Sequence, residues 1–391
     1  MEVFLLCAFW ISLALVAYAY LIYPIVLFGC YSMSQLRTDL RYLLERKDRR
    51  VRELGDGGLP DVTFVLAAYN EEESLPDKIT NLRRVDYPPA KLQFVIVSDG
   101  STDSTNEILM GIDDPRFEVF CLPTRSGKAA ALNVAVSNAR HNLLVFSDAS
   151  TVFETDAVRK LVRHFADTEV GVVCGTLRFH ASPESQQTEG VYWKYESILR
   201  LMEGRLGATL TASGAIYALR RDSWVALPPG TVLDDFVVPV NARQKGYSVR
   251  YDPEATAYDF APSTVKGEFS RRVRLAMGSF RSLGHFMRAS MPGFTRFAFI
   301  SHKLMRWIVP LFLLGMLFSN LFLLRSRFYQ GAFIVQFVVY IWAGIGYFFQ
   351  NRIHRFRFAL LGYFIMAMNL AFLVGLIRTL ARREITWQRV S

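Results

Sequence analysis

The apolar positions of this chain fall into two patterns. Four stretches, residues 3–31, 307–324, 329–350 and 358–377, carry no charged residue. Each is long enough to be weighed as a membrane-spanning helix, which needs about 20 apolar residues. Between the first and second, apolar residues come in short runs separated by polar loops. Val62 to Ala67, Phe94 to Val97 and Leu143 to Phe146 are unbroken apolar segments that predict strands buried on both faces. Helical spacing follows the first, from Ser74 to Leu82, and further helices are expected near Asp103 and at Lys128. Val170 to Phe179 and Ala215 to Leu219 read as later strands, with an amphipathic stretch from Glu189 to Leu206 between them. Asp234-Asp235 open another helical run, and Arg271-Arg272-Val273-Arg274 lie within one more.

Strands alternating with helices predict an α/β domain with a mostly parallel sheet. The expected plan is an N-terminal anchor over 1–34, a basic juxtamembrane linker over 35–59 and the α/β domain over 60–285. An interfacial helix over 286–306 and three spans with a tail over 307–391 complete it. In 286–306, Arg288, Arg296, His302 and Lys303 alternate with apolar residues, the pattern of a helix lying on a membrane surface.

Charge gives the first segment its reading and its orientation. A cleaved signal peptide has a basic start and a small-residue cleavage site; Glu2 opens this chain and no such site stands out, so a retained anchor is expected. Arg37, Arg41, Arg46, Lys47, Arg49, Arg50 and Arg52 follow it, which puts that end and the attached domain in the cytoplasm. Arg352, Arg355 and Arg357 agree. The tail's Arg378, Arg382, Arg383 and Arg389 do not, because four spans put it on the other side; the rule leaves the side of the tail open. The net charge of +10 is thus accounted for beside membrane segments, without invoking nucleic acid. Cys7, Cys30, Cys121 and Cys174 show no paired spacing and read as buried free thiols.

Candidate chemistry gathers where the strands end. Ligands of parallel sheets sit beyond the C-terminal ends of the strands, and Tyr69-Asn70-Glu71-Glu72, Asp99-Gly100-Ser101 and Ser147-Asp148-Ala149-Ser150 all lie there. Asp99 can accept hydrogen bonds from a base or ribose, or serve as a turn aspartate. Asp148 can hold a divalent metal against a diphosphate, or cap a strand end. Lys128 can meet a phosphate; read in isolation it is a solvated lysine, and it lacks the Ser or Thr that follows the lysine of a P-loop. Asp234-Asp235 offer a general base, or complement a helix dipole. Arg271, Arg272 and Arg274 form either a diphosphate clamp or membrane-surface charge. No Gly-x-Gly-x-x-Gly follows the first strand, which argues against a dinucleotide-binding oxidoreductase.

Taken in order, these segments resemble family-2 glycosyltransferases. The resemblance rests on Ala67-Ala68-Tyr69-Asn70-Glu71, Ser98-Asp99-Gly100-Ser101-Thr102-Asp103, Arg125-Ser126-Gly127-Lys128-Ala129-Ala130-Ala131-Leu132-Asn133 and Ser147-Asp148-Ala149-Ser150-Thr151. It continues through Ala212-Ser213-Gly214-Ala215-Ile216-Tyr217, Asp234-Asp235-Phe236 and Arg271-Arg272-Val273-Arg274, from about residue 60 to 310. It implies a GT-A fold, a nucleotide-diphospho-sugar donor, with a UDP-sugar favoured, and inversion at the anomeric carbon. By position, Tyr69, Asp99, Lys128, Asp148 and Arg274 match nucleotide-sugar-binding residues, and Asp148 the first acid of the family's metal-binding Asp-x-Asp. Asp235 matches the catalytic base with Asp234 beside it, and Ser213 and Gly214 the acceptor-side loop.

Two departures stand out. Ser150 replaces the second acid, which weakens a Mg or Mn site. The Gln-x-x-Arg-Trp of processive cellulose, chitin and hyaluronan synthases becomes Arg271 and Arg274-Leu275, without glutamine or tryptophan. Lys303-Leu304-Met305-Arg306-Trp307 mimics that motif at the membrane entry and reads as an interfacial anchor. The resemblance therefore implies an integral membrane enzyme of a bacterial inner membrane, with its catalytic domain cytoplasmic. It would add sugar to a polyprenyl-linked saccharide acceptor in surface polysaccharide synthesis. A processive polysaccharide synthase is the first alternative, and a catalytically decayed, nucleotide-binding scaffold subunit the second.

Overall fold

The structure, a computed structural model, describes residues 1–45, 54–180, 189–260, 265–349 and 357–383. The chain begins with α1 (Glu2–Ala17) and α2 (Tyr23–Glu45), joined by a π-helical turn at Tyr18–Ile22 into one rod. The expected linker from residue 35 is therefore helical as far as Glu45; the basic run 46–52 lies outside the described residues.

The α/β domain follows as β1 (Val62–Ala68), α3 (Leu75–Arg83), β2 (Leu92–Asp99), α4 (Thr105–Met110), β3 (Phe117–Leu122), α5 (Lys128–Ser137), β4 (Leu143–Asp148) and β5 (Val152–Phe153). Its second part comprises α6 (Ala157–Val162), β6 (Val170–His180), α7 (Glu189–Arg205), β7 (Ile216–Arg220), α8 (Asp234–Gln244) and β8 (Ser248–Phe260). The eight strands form one sheet in the order β3-β2-β1-β4-β7-β6-β8-β5. The first four are parallel; the apolar runs predict β1, β2 and β4, while β3 was not expected, and every residue of β1 and β2 is buried. The sheet as a whole is mixed, because β7 runs antiparallel to both β4 and β6 and β5 antiparallel to β8. No strand was expected over 248–260, where β8 carries Arg250, Asp252, Pro253 and Glu254 and shifts register against β6. Its polar residues are bound laterally, Asp252 taking two bonds from Arg163 and one from His164, so periodicity is lost without loss of pairing.

The parallel register is what builds an edge. Ala67 lies opposite Asp148, and Ala68 opposite Ser98, so three loop entrances open side by side. Alternate residues of the same strands feed two cores. Val65, Val95 and Val97 pack with α5 and α8 on one face, Phe64, Phe94 and Val145 with α6 on the other.

After the sheet come α9 (Val265–Arg288), α10 (Gly293–Ala298), α11 (Met305–Phe322), α12 (Arg327–Phe349) and α13 (Arg357–Leu380). Among the described residues, three helical stretches are long and apolar enough to cross a membrane: Glu2–Leu44, Gly293–Phe322 and Arg327–Ile345. The apolar stretch Ile365–Leu380 is shorter. The interfacial helix expected over 286–306 is not a separate element. The chain breaks after Arg288, restarts as α10 and runs through a π-helical turn, Phe299–Leu304, directly into α11. Phe286, Ala289, Ala298 and Phe299 are buried in the core of the α/β domain rather than spread on a surface.

Trp307 is also not an interfacial anchor. It is 6% exposed and meets Phe236, Phe280, Phe286 and Phe299 with ring centroids 5.9–6.5 Å apart. Phe236 itself stacks on Phe286 at 3.9 Å. Lys303 and Arg306 are likewise turned inward onto Glu196 of α7, both at 2.8 Å. His302 lies between two carboxylates of α7, Nδ1 2.6 Å from Glu203 and Nε2 3.1 Å from Glu196. Both ring nitrogens thus face carboxylate oxygens. Tyr23 of the N-terminal rod donates to the same Glu203 at 2.6 Å. Burial of these ions in a shared network replaces the surface placement that their sequence pattern suggests. The cysteines are free, as expected, but only Cys174 is buried: Cys7 and Cys121 are exposed and Cys30 lies between.

These contacts fix the cost of losing Trp307. Trp307→Ala is expected to destabilise the detergent-solubilised protein by about 3–5 kcal/mol, the range for large aromatic deletions from a core. Thermal unfolding followed by near-ultraviolet circular dichroism checks this; an interfacial anchor would change stability by less than about 1 kcal/mol.

Candidate active site

The edge formed by β1, β2 and β4 is built by interlocking loops. Asn70 leaves β1 with φ of 54°, a left-handed conformation that asparagine tolerates. Its Oδ1 accepts the backbone N–H of Thr102 at 2.9 Å, while Ser101 Oγ accepts the backbone N–H of Asn70 at 3.1 Å. Glu72 and Asp103 exchange bonds with each other's loop: Asp103 accepts the Glu72 N–H at 3.2 Å and Glu72 accepts the Ser104 N–H at 3.0 Å. The acidic residues that make these segments recognisable are therefore joints between two loops. Gly100 is required for two reasons. Its φ is +64°, and a Cβ there would fall 2.5 Å from the backbone nitrogen of Arg125.

Asp99 is buried, at 0% exposure, and reaches under this crossing. It accepts the N–H of Ser126 at 2.7 Å and that of Gly127 at 2.8 Å, and so sets the turn from which α5 starts. Its contacts here are with its own chain, and each carboxylate oxygen keeps a second lone pair. Tyr69 is half-buried, with the Arg125 guanidinium 3.9 Å from its ring centroid.

Lys128 is the first residue of α5 and sits at the centre of the edge. Its Nζ is 2.9 Å from Asp148 Oδ1 and 3.2 Å from Asp234 Oδ2. The solvated-lysine reading is overturned, since the side chain is only 20% exposed and doubly paired. Burial alone would lower its proton affinity; the Asp148 and Asp234 carboxylates outweigh burial and hold the ammonium well above its ordinary value. Gly214 borders the group: a Cβ on it would lie 3.5 Å from Asp235 Cβ and 3.9 Å from Lys128 Nζ. The neighbouring Ala212 N–H donates to the backbone carbonyl of Asp235 at 2.8 Å, and Ser213 is buried beside it. The expected acceptor-side loop and the acidic pair are thus one assembly.

The two acids differ. Asp234 is buried and tied to Lys128, whereas Asp235 is part-exposed. Burial, followed by the Asp234 charge, raises the Asp235 carboxyl to about 7, with Lys128 and Arg200 opposing and Asp148 adding to the rise. That value suits a general base near neutrality. Arg272 is buried and Arg271 and Arg274 are half-buried, which argues against mere membrane-surface charge. Burial and Arg271 lower the proton affinity of Arg274, while Asp148 opposes them, so Arg274 lies within the field of the Asp148 turn.

Three residues of this region were not singled out from the sequence. Lys78 of α3 is 1% exposed and donates to Ser147 Oγ at 2.5 Å and to the Thr151 carbonyl at 2.6 Å, on either side of Asp148. Burial lowers it to about 7 against the pull of Asp148. Its signal was present, because Leu75, Lys78, Ile79 and Leu82 form the buried stripe of α3 and a lysine on such a stripe needs a partner. Arg200 of α7 lies between Glu196 and Glu203 at helical spacing and acts on Asp235 through charge. Tyr217 stacks on Phe146 at 4.5 Å, and its buried hydroxyl has no hydrogen-bond partner among the described residues. Burial and the carboxylates of Asp234, Asp235 and Asp148 hold that hydroxyl well above its ordinary proton affinity.

For a divalent ion the donor set is thin. Asp148 supplies one carboxylate, its Oδ1 already held by Lys128, and Ser150 supplies a hydroxyl. Among the described residues no three His, Cys, Asp or Glu side chains cluster as metal ligands. These residues fit a tightly bound metal poorly.

Comparison with known proteins bears on the fold. The model of the family described as Glycosyl transferase family 2 matches residues 63–223, which span β1 to just beyond β7 and stop short of Asp234-Asp235. Poly-beta-1,6-N-acetyl-D-glucosamine synthase of Staphylococcus aureus is 28% identical over 254 residues, 61% of this chain and 58% of the relative. The synthase of the same name from Staphylococcus epidermidis is 26% identical over 230 residues, 56% of this chain and 54% of that one. The chain thus matches somewhat more than half the length of these relatives. Among solved structures, a mannosyltransferase of Pyrobaculum calidifontis in complex with GDP-Man and Mn2+ superposes with a TM-score of 0.70 at 20% identity, covering 96% of this chain and 100% of that one. With these strand-end loops and this sheet, residues 63–223 are a glycosyl transferase family 2 domain on the GT-A fold.

Proposed function

We propose that this chain is an inverting glycosyltransferase that moves a sugar from a nucleotide-diphospho-sugar to a hydroxyl of a saccharide acceptor held at the membrane. The observation that carries this reading is the group at the strand ends. Asp235, a part-exposed carboxyl raised to about 7, lies beside the 212–214 loop and Lys128, while Arg274 acts through charge on the neighbouring Asp148. In the proposed step the acceptor hydroxyl gives its proton to Asp235, and its oxygen bonds to the anomeric carbon from the face opposite the leaving group. The bond from that carbon to the diphosphate breaks, and the nucleoside diphosphate departs with the bonding electrons. Lys128 and Arg274 face the charge that develops on it. Tyr69 and Asp99 would border the base and ribose, and Ser213-Gly214 the acceptor.

The domain would lie on the cytoplasmic side, where the arginines between 37 and 52 put it by the positive-inside rule. The rod of α1 and α2, joined to α7 through Tyr23 and Glu203, would hold the acceptor side against the bilayer. A polyprenyl-linked saccharide fits such a surface. A second reading, a processive synthase, is favoured by the named activity of the Staphylococcus relatives. Against it, Leu275 is partly buried against the core and offers no flat aromatic face to a growing polymer, and the Trp307 ring is buried among Phe236, Phe280, Phe286 and Phe299. The donor sugar under that reading would be N-acetylglucosamine.

Three measurements test these statements. Asp235→Asn is expected to leave donor affinity within a few-fold and to cut kcat by about 100-fold or more; near-normal turnover in Asp235→Asn with loss in Asp234→Asn would move the base to Asp234. In the unmodified protein, log kcat/KM is expected to rise with pH and level off above about 7, because Asp235 must be deprotonated to act. The same carboxyl, raised from 3.8, holds its proton in the fold but not in the unfolded chain between about 4 and 7. Its stabilising contribution is therefore complete below that window and lost as pH rises through it. For product length, mass spectrometry at excess donor and limiting acceptor is expected to find one or very few added sugars; long polymer on few acceptors would establish the second reading.

A further inference from the structure

The turn after β4 is where the fold would hold a divalent ion, yet protein cations surround it. Lys128 Nζ already contacts Asp148 Oδ1 at 2.9 Å and bridges to Asp234 at 3.2 Å. A magnesium ion on the same oxygen would stand about 2.0–2.1 Å from it, against an ammonium that occupies that side of the carboxylate. Behind the turn, Lys78 grips Ser147 and Thr151 and so pins both ends of Asp148-Ala149-Ser150. The Lys78 side chain also packs on the Phe153 ring, with Nζ 4.7 Å from its centroid. In front, Arg274 lies within the electrostatic reach of Asp148. Ser150 removes the one further carboxylate that would favour a doubly charged ion.

We propose that Lys128 and Arg274 neutralise the donor's diphosphate in place of a tightly held metal, so that nucleotide binding at this site is largely independent of divalent ions. The inference rests on the nucleotide-sugar reading of the site. Asp148 then acts as a positioning residue, which with Asp234 fixes the Lys128 ammonium at the start of α5. A diphosphate arriving there also meets the N-terminus of that helix. The Lys128 ammonium, fixed by Asp148 and Asp234 before binding, with Arg274 in the field of the same Asp148, would give the leaving group its counter-charge with little reorganisation. Lys78 keeps the turn that carries Asp148 in one conformation.

The experiment is calorimetric titration of the full chain in detergent with UDP and, separately, GDP, in excess EDTA and again in millimolar Mn2+. Affinity is expected to differ by less than about 3-fold between the two conditions, and Lys128→Gln to weaken it by about 10-fold or more in both, the scale of a lost charged contact. Ser150→Asp restores the missing acid at a part-exposed position. It is expected to gain Mn2+ binding visible by electron paramagnetic resonance and to make nucleotide affinity rise with Mn2+. Loss of more than about 10-fold in affinity on adding EDTA to the unmodified protein would overturn the inference. So would Mn2+ binding by the unmodified protein as tight as by Ser150→Asp. Binding of neither nucleotide under either condition would remove the nucleotide-sugar reading itself, which keeps the two failures apart.

Discussion

The pairing of Lys128 with Asp148 and Asp234 is the constraint around which the site is arranged. The three residues begin α5, end β4 and begin α8, and nothing in local sequence brings them together. Charges removed from water are costly unless they are matched, so the ammonium and two carboxylates hold these elements at a common point. A third carboxylate, Asp235, shares the same small volume. Its burial and then the negative charge of Asp234 raise its proton affinity to the range in which a carboxylate can take a proton from a hydroxyl. The arrangement that binds the elements also sets the proton affinity of Asp235.

A second layer of interactions joins that point to the apolar helices. Phe236, one residue after Asp235, stacks on Phe286 and packs on Trp307 of α11, so the start of α8 rests on an aromatic platform shared with a membrane-length helix. On the other side, α7 sends Glu196 and Glu203 to His302, Lys303, Arg306 and Tyr23. The same helix carries Arg200 toward Asp235. Two π-helical turns, Tyr18–Ile22 and Phe299–Leu304, meet where this network crosses, with Tyr18 and Ser301 hydroxyls 2.7 Å apart. The catalytic edge and the apolar rods are thus mechanically one body, held by packing on one side of α8 and by buried ions along α7.

Much of this was legible in the sequence. Three of the four parallel strands at the front of the sheet, the loops at their ends and the helices starting near Lys128 and Asp234 follow from unbroken apolar runs and from polar clusters that stop them; β3, interrupted by Glu118, does not. Those features are local, because an apolar run with a turn residue after it has few other uses in a covered sheet. The GT-A fold and the family were readable from the order of the motifs, since that order records which loops meet.

What the sequence could not settle was where charged and aromatic side chains go once distant elements pack. The run from Lys303 to Trp307 has the look of a membrane surface, yet it is buried, because α7 brings two carboxylates to meet its cations and the core brings four aromatic rings to meet its tryptophan. Strand β8 escaped notice because its polar residues are paired with Arg163 and His164, 80 or more residues away. Lys78 falls on the apolar stripe of α3, but its partners Ser147 and Thr151 lie 69 and 73 residues away and only packing brings them together. The sequence by itself determined which segments are strands and helices, since backbone pairing and apolar periodicity act over a few residues. Only the tertiary structure decided which charges are paired and which carboxylate is raised, since electrostatic energy depends on distances between residues that the chain keeps far apart.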